Sequence, residues 1–418
     1  MSAPSTFAPG AAADTSVAVV GAGAAGLVAA GFAASAGARV TLIERTPDGG
    51  RKILISGGGR CNVLPSVLAP ERFVTGSPVH LLRRMLRAWP LHEQREFFER
   101  DLDVPLALED ESGKLFPRSN RARDIRDGLV AFAQSKGVEI RFDTKVTDLL
   151  RSAGGFTIVT SEGAIDCERV VLATGGLSVP TTGSDGLGLG IAQRLGHALV
   201  DTYPALTPIL AKDDRHVGLA GVSLNVRLRA RVGTKSEEAF GGFLFTHRGY
   251  SGPSVLDISH LTERKEAPVI RAQWSPLTAA EWARELEAPN ALIATILGRH
   301  LPARLGDHLM SEVGVPIDRR TSSLKRSDRL ELIDALAAYA LPWSGNEGYK
   351  KAEVTGGGVA LTEIDPRTLE SRKVAGLYLC GEILDAFGPI GGHNFSWAWA
   401  TGRAAGLAAG RRTSAEPA

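Results

Sequence analysis

The chain has 418 residues, 44% of them hydrophobic and 22% charged, the composition of an ordinary globular protein with room for two or three domains. Forty-eight basic residues stand against 46 acidic ones, and the net charge of +2 leaves no electrostatic footprint for nucleic acid or a membrane surface. Cys61, Cys167 and Cys380 share no CxxC or metal-like spacing, so neither a disulfide framework nor a metal site is expected.

From the N-terminus, Met1–Asp14 is rich in Ala, Pro and Ser and has no basic segment before an apolar one. It reads as a disordered tail and not as a signal peptide. No apolar run approaches the roughly 20 residues that span a bilayer, and the sparse cysteines fit a reducing, cytoplasmic setting. Val17–Val20 reads as a strand, Ala24–Ser35 as a small-residue helix ended by Gly37, and Arg39–Glu44 as a second strand. Together they make a βαβ unit within about 30 residues. Residues 49–62 read as a glycine-rich loop, and His80–Arg100 and Ala122–Lys136 as amphipathic helices. Strand patterns follow at Val138–Phe142, Lys145–Leu150, Phe156–Thr160 and Arg169–Thr174, the last running into Gly175–Gly176.

Beyond Tyr203 the character changes. Val222–Arg231 and Gly242–Phe245 are β-like, whereas Ala291–Leu297 and Arg329–Tyr339 have helical patterns. Gly356–Gly358 restores the glycine-rich α/β character, followed by a strand at Gly376–Cys380 and a helix over Phe395–Ala409. The simplest organisation is a discontinuous α/β nucleotide domain, 15–200 and 350–412, with a β-rich and helical module inserted at 201–349.

Gly21-Ala22-Gly23-Ala24-Ala25-Gly26 matches G-x-G-x-x-G between a strand and a helix. The glycines suit a tight turn, approach to a pyrophosphate, and close helix–strand packing. The helix N-terminus offers N–H groups and partial positive charge to the diphosphate. Glu44 ends the second strand, where an acid accepts from ribose hydroxyls. That acid disfavours a 2′-phosphate, and hence NADP, at this site.

Three later segments point to FAD. Gly49–Asn62 combines consecutive glycines with Arg51, Lys52 and Arg60, suited to a flat anionic ligand. Ala173-Thr174-Gly175-Gly176 ends a strand in a turn that resembles the alanine-threonine-glycine turn of two-dinucleotide flavoproteins. Gly381-Glu382 follows another strand, and Gly391-Gly392-His393-Asn394 opens the last helix, whose N-terminus would stabilise charge on a reduced flavin.

The stretches GAGAAGL, GRKILISGGGRCN, TGGLSVPTTGSDGLGLGIAQRLGH, FTHRGYSGPSVLDIS, VTGGGVALTEIDPRTLES and GLYLCGEILDAFGPIGGHNFSWAWATG resemble the BaiN/YhiN-like flavoproteins from Val17 to Gly402. The resemblance implies a Rossmann-like FAD domain of the two-dinucleotide-binding type and an oxidoreductase activity. It carries FAD contacts onto Gly21, Gly23, Gly26, Glu44, Arg45, Lys52, Gly58, Arg60, Asn62, Val146, Thr174, Gly381, Glu382, Gly392 and Asn394. Ala24, Ala25, Gly175 and His393 join them from within the same motifs. Many relatives have Tyr where this chain has His393.

No catalytic acid or base is legible. His393 suits either acid–base work beside the flavin or a hydrogen bond to a neighbour. His247 and Tyr250 suit either a substrate face or a turn. Arg60 would lower the pKa of Cys61, although a lone Cys also suits packing. Trp397 and Trp399, two apart on a helix, face different ways. Gly183–Gly186 precedes a helix through Ile191–Leu195 without strand or ribose acid, so NAD(P)H is expected only as a transient reductant. The expected reaction passes a hydride or electron pair between flavin and a small organic substrate, by C=C reduction or amine oxidation. A flavin redox sensor and an RNA-modifying flavoprotein are the alternatives, the latter disfavoured by the lack of a strongly basic segment.

Overall fold

The computed structural model describes residues 15–233, 235–263 and 268–411, so the expected tail Met1–Asp14 lies outside them. The nucleotide-type elements are β1 (Ser16–Val20), α1 (Ala24–Ser35), β2 (Arg39–Ile43), α2 (Ala122–Ser135), β3 (Glu139–Arg141), β4 (Arg169–Leu172), β5 (Leu377–Leu379) and α3 (His393–Gly410). The strands form one parallel sheet in the order β5-β4-β1-β2-β3. This is the Rossmann-like α/β arrangement that the sequence led us to expect.

The composition of α1 explains its place. It is small and apolar around its whole circumference, and residues 25–31 and Ala33 are all buried. Gly402, Gly406 and Gly410 recur at the four-residue spacing that puts them on one face of α3. A Cβ at these positions would fall 2.5, 2.3 and 2.3 Å from the carbonyl oxygens of Ala25, Ala29 and Ala33. The two helices therefore meet backbone to backbone, a contact only glycine admits. On another side, a Cβ at Gly31 would lie 2.3 Å from the ring of Phe132 on α2. Phe32, Trp89, Phe97 and Phe132 close an aromatic cluster there.

Two readings need correction. Residues 49–62 are not a plain loop, because Arg51–Ile55 forms a helical turn and Ser56–Gly59 a tighter one. His80–Arg100 is not one helix. It breaks into Val79–Arg87 and Leu91–Glu96 because Pro90 lacks an N–H and turns the preceding residue away from helix, and a wider π turn follows at Phe97–Asp101. Short strands at Leu64–Pro65, Leu106–Glu109 and Lys114–Pro117 form a small sheet, and Val146–Ser152, Gly155–Thr160 and Gly163–Cys167 an antiparallel meander.

The chain divides into two compact units. The first runs to Gly176 and resumes over Thr181–Asp201 and from Gly357; the second is Leu177–Pro180 with Thr202–Gly356. The second is built on a seven-stranded antiparallel sheet that includes Ser223–Val232, Lys235–Phe245 and Ile270–Gln273. Its core holds the fully buried Phe243, Phe245, Tyr250, Trp274 and Trp282.

Candidate cofactor site

Gly21, Glu44, Ala173–Gly175 and Gly381 each follow the carboxyl end of a strand in the parallel sheet, at β1, β2, β4 and β5 respectively, four strands that lie side by side. In doubly wound folds the ligand crevice lies outside those ends. Gly21 has φ +100°, and a Cβ there would sit 2.6 Å from the Ala173 carbonyl oxygen. A Cβ at Gly26 would come within 1.8 Å of Gly21 O, so this turn admits no side chain. Gly23 begins α1, has no side-chain cap, and a Cβ there would meet nothing within 4 Å. The first turn, with Ala24 and Ala25, thus presents an open helix N-terminus.

Glu44 is buried. Its carboxylate accepts from Ala22 N at 2.7 Å and from Thr46 N and Oγ1 at 2.8 Å each. These bonds fix its orientation and leave lone pairs for further donors. Arg45 pairs with Asp185 and donates to Gly183 O at 3.4 Å, which ties it to the Gly183–Gly186 loop. That loop leads into the helix Leu187–Arg194, earlier than expected, and Gly188 packs against Thr174. A Cβ at Gly175 would lie 2.9 Å from the Ser184 hydroxyl.

Residues far apart in sequence converge at Lys52. Its Nζ meets Glu382 Oε2 at 2.6 Å. Gly381 has φ +77° and packs on α1, where a Cβ would lie 2.8 Å from that of Ala25. Its N–H donates to Thr401 Oγ1, and its carbonyl accepts from Trp397 Nε1. Trp399 instead donates to Val63 O, so the two indoles do face different neighbours, and both are buried. Gly58 is left-handed with open space at its Cβ position. Asn62 Oδ1 is buried without a hydrogen-bond partner among the described residues. Arg60 turns elsewhere: it pairs with Glu109 at 3.0 Å and covers the Phe116 ring at 4.0 Å. Val146 is buried at the head of its strand opposite Thr160.

Gly392, with φ +90°, starts α3 with no side-chain cap. His393 is buried edge-on to Phe73, and neither ring nitrogen makes a hydrogen bond of sound geometry. Burial, aided by Arg72, pushes its pKa down to about 4, which the Ile390 backbone and Glu71 only partly oppose. Burial thus holds the ring neutral near pH 7, beside the Ile390 backbone. Asn394 is spent on the chain itself, bonding both N–H and C=O of Gly388 at 2.9 Å.

Cys61 is a packing residue, and Arg60 does not lower its pKa. It is fully buried and its pKa rises to about 12, because burial outweighs a Ser56 hydrogen bond and Arg60 points away. Tyr250 is buried and bonds His216 and Pro342, while His247 is exposed at a turn. Sequence reading missed Asp385. It accepts from Thr75 Oγ1, Gly76 N and Ser77 Oγ, and burial raises its pKa. Its place three residues after Glu382 was the one available signal.

Residues 15–408 match the HI0933-like protein Rossmann domain. The chain belongs to the HI0933-like family. It is an FAD-dependent oxidoreductase of that family. It is 35% identical to a ribosomal RNA dihydrouridine synthase of Escherichia coli (strain K12), over 92% of this chain and 95% of that one. It is 33% identical to a 3-dehydro-bile acid delta(4,6)-reductase of Clostridium scindens, over 95% and 99%. Among solved structures, a 3-ketosteroid delta1-dehydrogenase from Sterolibacterium denitrificans shares the fold, with TM-score 0.53, 12% identity, and 94% and 99% of the two chains covered. The donor set suits FAD: two uncapped helix starts, an oriented buried carboxylate and an orphaned Asn62 oxygen meet a ligand with a diphosphate, hydroxyls and a polar ring. None of the described helices is long and apolar enough to cross a membrane.

Proposed function

We propose that this FAD enzyme reduces a carbon–carbon double bond conjugated to a carbonyl, and that a uridine in ribosomal RNA is its substrate. One observation carries the reading: two relatives matching more than nine-tenths of the chain are named for that bond class. Dihydrouridine is uridine saturated at a carbonyl-conjugated double bond, and a 3-dehydro delta(4,6) substrate is a conjugated dienone. Each reduction adds a hydride and a proton across a double bond conjugated to a carbonyl, with hydride at a carbon whose charge the carbonyl takes up, and each gains from polarising that carbonyl. Amine oxidation gains no support from these relatives. The higher-identity relative favours uridine; the balanced charge of this chain calls for a test of the steroid-like enone as well.

Bound FAD would supply the hydride. In this reading the open start of α1, at Gly23–Gly26, holds the diphosphate, and Glu44 accepts from the adenosine ribose. Lys52, Gly58, Asn62, Thr174, Gly381 and Glu382 hold the remainder of the cofactor. The start of α3 at Gly392 offers partial positive charge where the ring becomes negative. His393, neutral near pH 7, offers one N–H to a substrate carbonyl and no charge. The second unit supplies substrate contacts, NADH or NADPH docks transiently as reductant, and the protein works in the cytoplasm.

The test is anaerobic. Protein reduced with NADH or NADPH is mixed with unmodified ribosomal RNA, or with a 3-oxo-delta(4,6) steroid, and products are read by mass spectrometry. Dihydrouridine formation supports the proposal. Turnover of the steroid alone replaces the substrate and keeps the bond class. A flavin that NADH or NADPH reduces, and that stays reduced with neither product formed until oxygen is admitted, overturns both and favours a redox sensor.

A further inference from the structure

In the second unit, His216, His308 and Glu312 each offer one ligand atom, and these atoms lie within 4.8 Å of one another. His308 and Glu312 stand four apart on the helix Ala303–Glu312, the spacing that places two side chains on one face. His308 Nε2 is buried, has no hydrogen-bond partner among the described residues, and lies 3.7 Å from Glu312 Oε2, beyond hydrogen-bond length.

The hydrogen bonds around His216 fix which nitrogen is free to ligate. The Pro342 carbonyl can only accept, and the Tyr250 hydroxyl donates to it at 3.1 Å. Tyr250 then accepts from His216 Nδ1–H at 2.8 Å, which leaves Nε2 with its lone pair. On the Nε2 side, the single Tyr339 proton faces two acceptors, His216 Nε2 at 3.0 Å and Glu312 Oε2 at 2.8 Å. Tyr339 therefore cannot satisfy both His216 Nε2 and Glu312 Oε2 at once. Arg215 approaches Glu312 Oε1 at 3.4 Å, but Asp213 binds its guanidinium at 2.8 and 2.9 Å and offsets its charge.

A cation satisfies the acceptor that Tyr339 leaves unmet. We propose that His216 Nε2, His308 Nε2 and a Glu312 carboxylate oxygen bind a divalent transition metal ion of the zinc type. Two imidazoles and a carboxylate are a donor set such ions take, with a solvent molecule completing four-coordination. Ligand atoms about 2.1 Å from a tetrahedral ion stand about 3.4 Å apart, so His308 and Glu312 need only a small shift while the Tyr339 hydroxyl rotates aside. The His216 Nδ1–H bond to Tyr250 is the outer-shell partner that ligating histidines characteristically have. The ion would clamp the turn Asp214–Leu219 to the helix Ala303–Glu312, and His216 also lines a surface cavity through which it could enter. The metal reading of the sequence rested on the cysteines and passed over these histidines.

The test uses the full-length, flavin-loaded protein, stripped with EDTA and dialysed against limiting zinc chloride. Elemental analysis is expected to find about one zinc per chain, with affinity falling about tenfold or more in His308→Ala and in Glu312→Gln. Tyr250→Phe, which touches no ion, is expected to weaken binding about tenfold through the lost outer-shell bond. Zinc content no higher than in the His308→Ala/Glu312→Gln double variant overturns the site. Cobalt(II) gives an answer on the unaltered chain: intense visible bands in the difference spectrum support the site, and the weak spectrum of the hydrated ion overturns it.

Discussion

The glycine seam between α1 and α3 gives a prediction with opposite signs at two helical glycines. A methyl group at Gly406 would lie 2.3 Å from the Ala29 carbonyl oxygen, about 0.7 Å inside the 3.0 Å approach that Cβ atoms essentially never cross. Both neighbours are backbone in packed helices, so the helices must part. Overpacking of this kind costs about 1–3 kcal/mol, and the helix gains back about 0.5–1 kcal/mol from replacing glycine. Gly406→Ala should therefore destabilise by about 1 kcal/mol or more. Gly190, exposed inside the helix Leu187–Arg194, would meet nothing within 4 Å. Gly190→Ala should stabilise by about 0.5–1 kcal/mol from helix propensity alone. Thermal unfolding followed by flavin release reads both, with midpoints moving in opposite directions by roughly 2–4 °C per kcal/mol. Equal shifts of the same sign would refute the claim that backbone contact holds the seam.

Further outcomes can be checked on the same protein. Glu44→Ala removes the acceptor of two backbone N–H groups and one hydroxyl, so FAD affinity should fall at least about tenfold, or about 1.4 kcal/mol, in a fluorescence titration; unchanged affinity would sink the ribose assignment. His393 has a folded pKa of about 4 against an ordinary 6.5, so the unfolded chain binds the proton first. Its contribution is complete above pH 6.5 and is lost as pH falls toward 4, by up to about 3 kcal/mol. His393→Phe should flatten the fall of the urea midpoint between pH 7 and 4.5, and an unaltered slope would contradict its burial as a neutral ring. Cys61 and Cys380 are fully buried with raised pKa values, so neither should react with a thiol reagent in the native protein at pH 7.5. Mass mapping that found either labelled before denaturation would show the packing to be looser.

The first βαβ unit was legible because its periodicity, its glycines and Glu44 all agree, and the helix Ala24–Ser35 has the limits read from sequence. The last helix opens at His393, inside the Gly391–Asn394 stretch read as its start, although its apolar pattern begins only at Phe395. Lys114–Pro117 and Gly163–Cys167 are short strands whose pairing depends on partners, and local pattern did not reveal them. Side-chain roles were less legible. Arg60 leaves Cys61 for Glu109, and Asp385 finds its partners about 310 residues upstream. Those outcomes depend on burial and on long-range contacts that no local spacing encodes.

The strand order also constrains how the protein is made. β4 lies between β1 and β5, and its Val170, Val171 and Leu172 are wholly buried in the finished sheet. β5 begins only at Leu377, after the second unit has been synthesised. During translation β4 is therefore an open, apolar edge, the kind of surface that recruits other strands or chaperones. α3, which seals α1, emerges later still. Completion of the sheet is thus a late event on the ribosome or follows release from it, and a chain halted before Leu377 leaves an adhesive edge exposed.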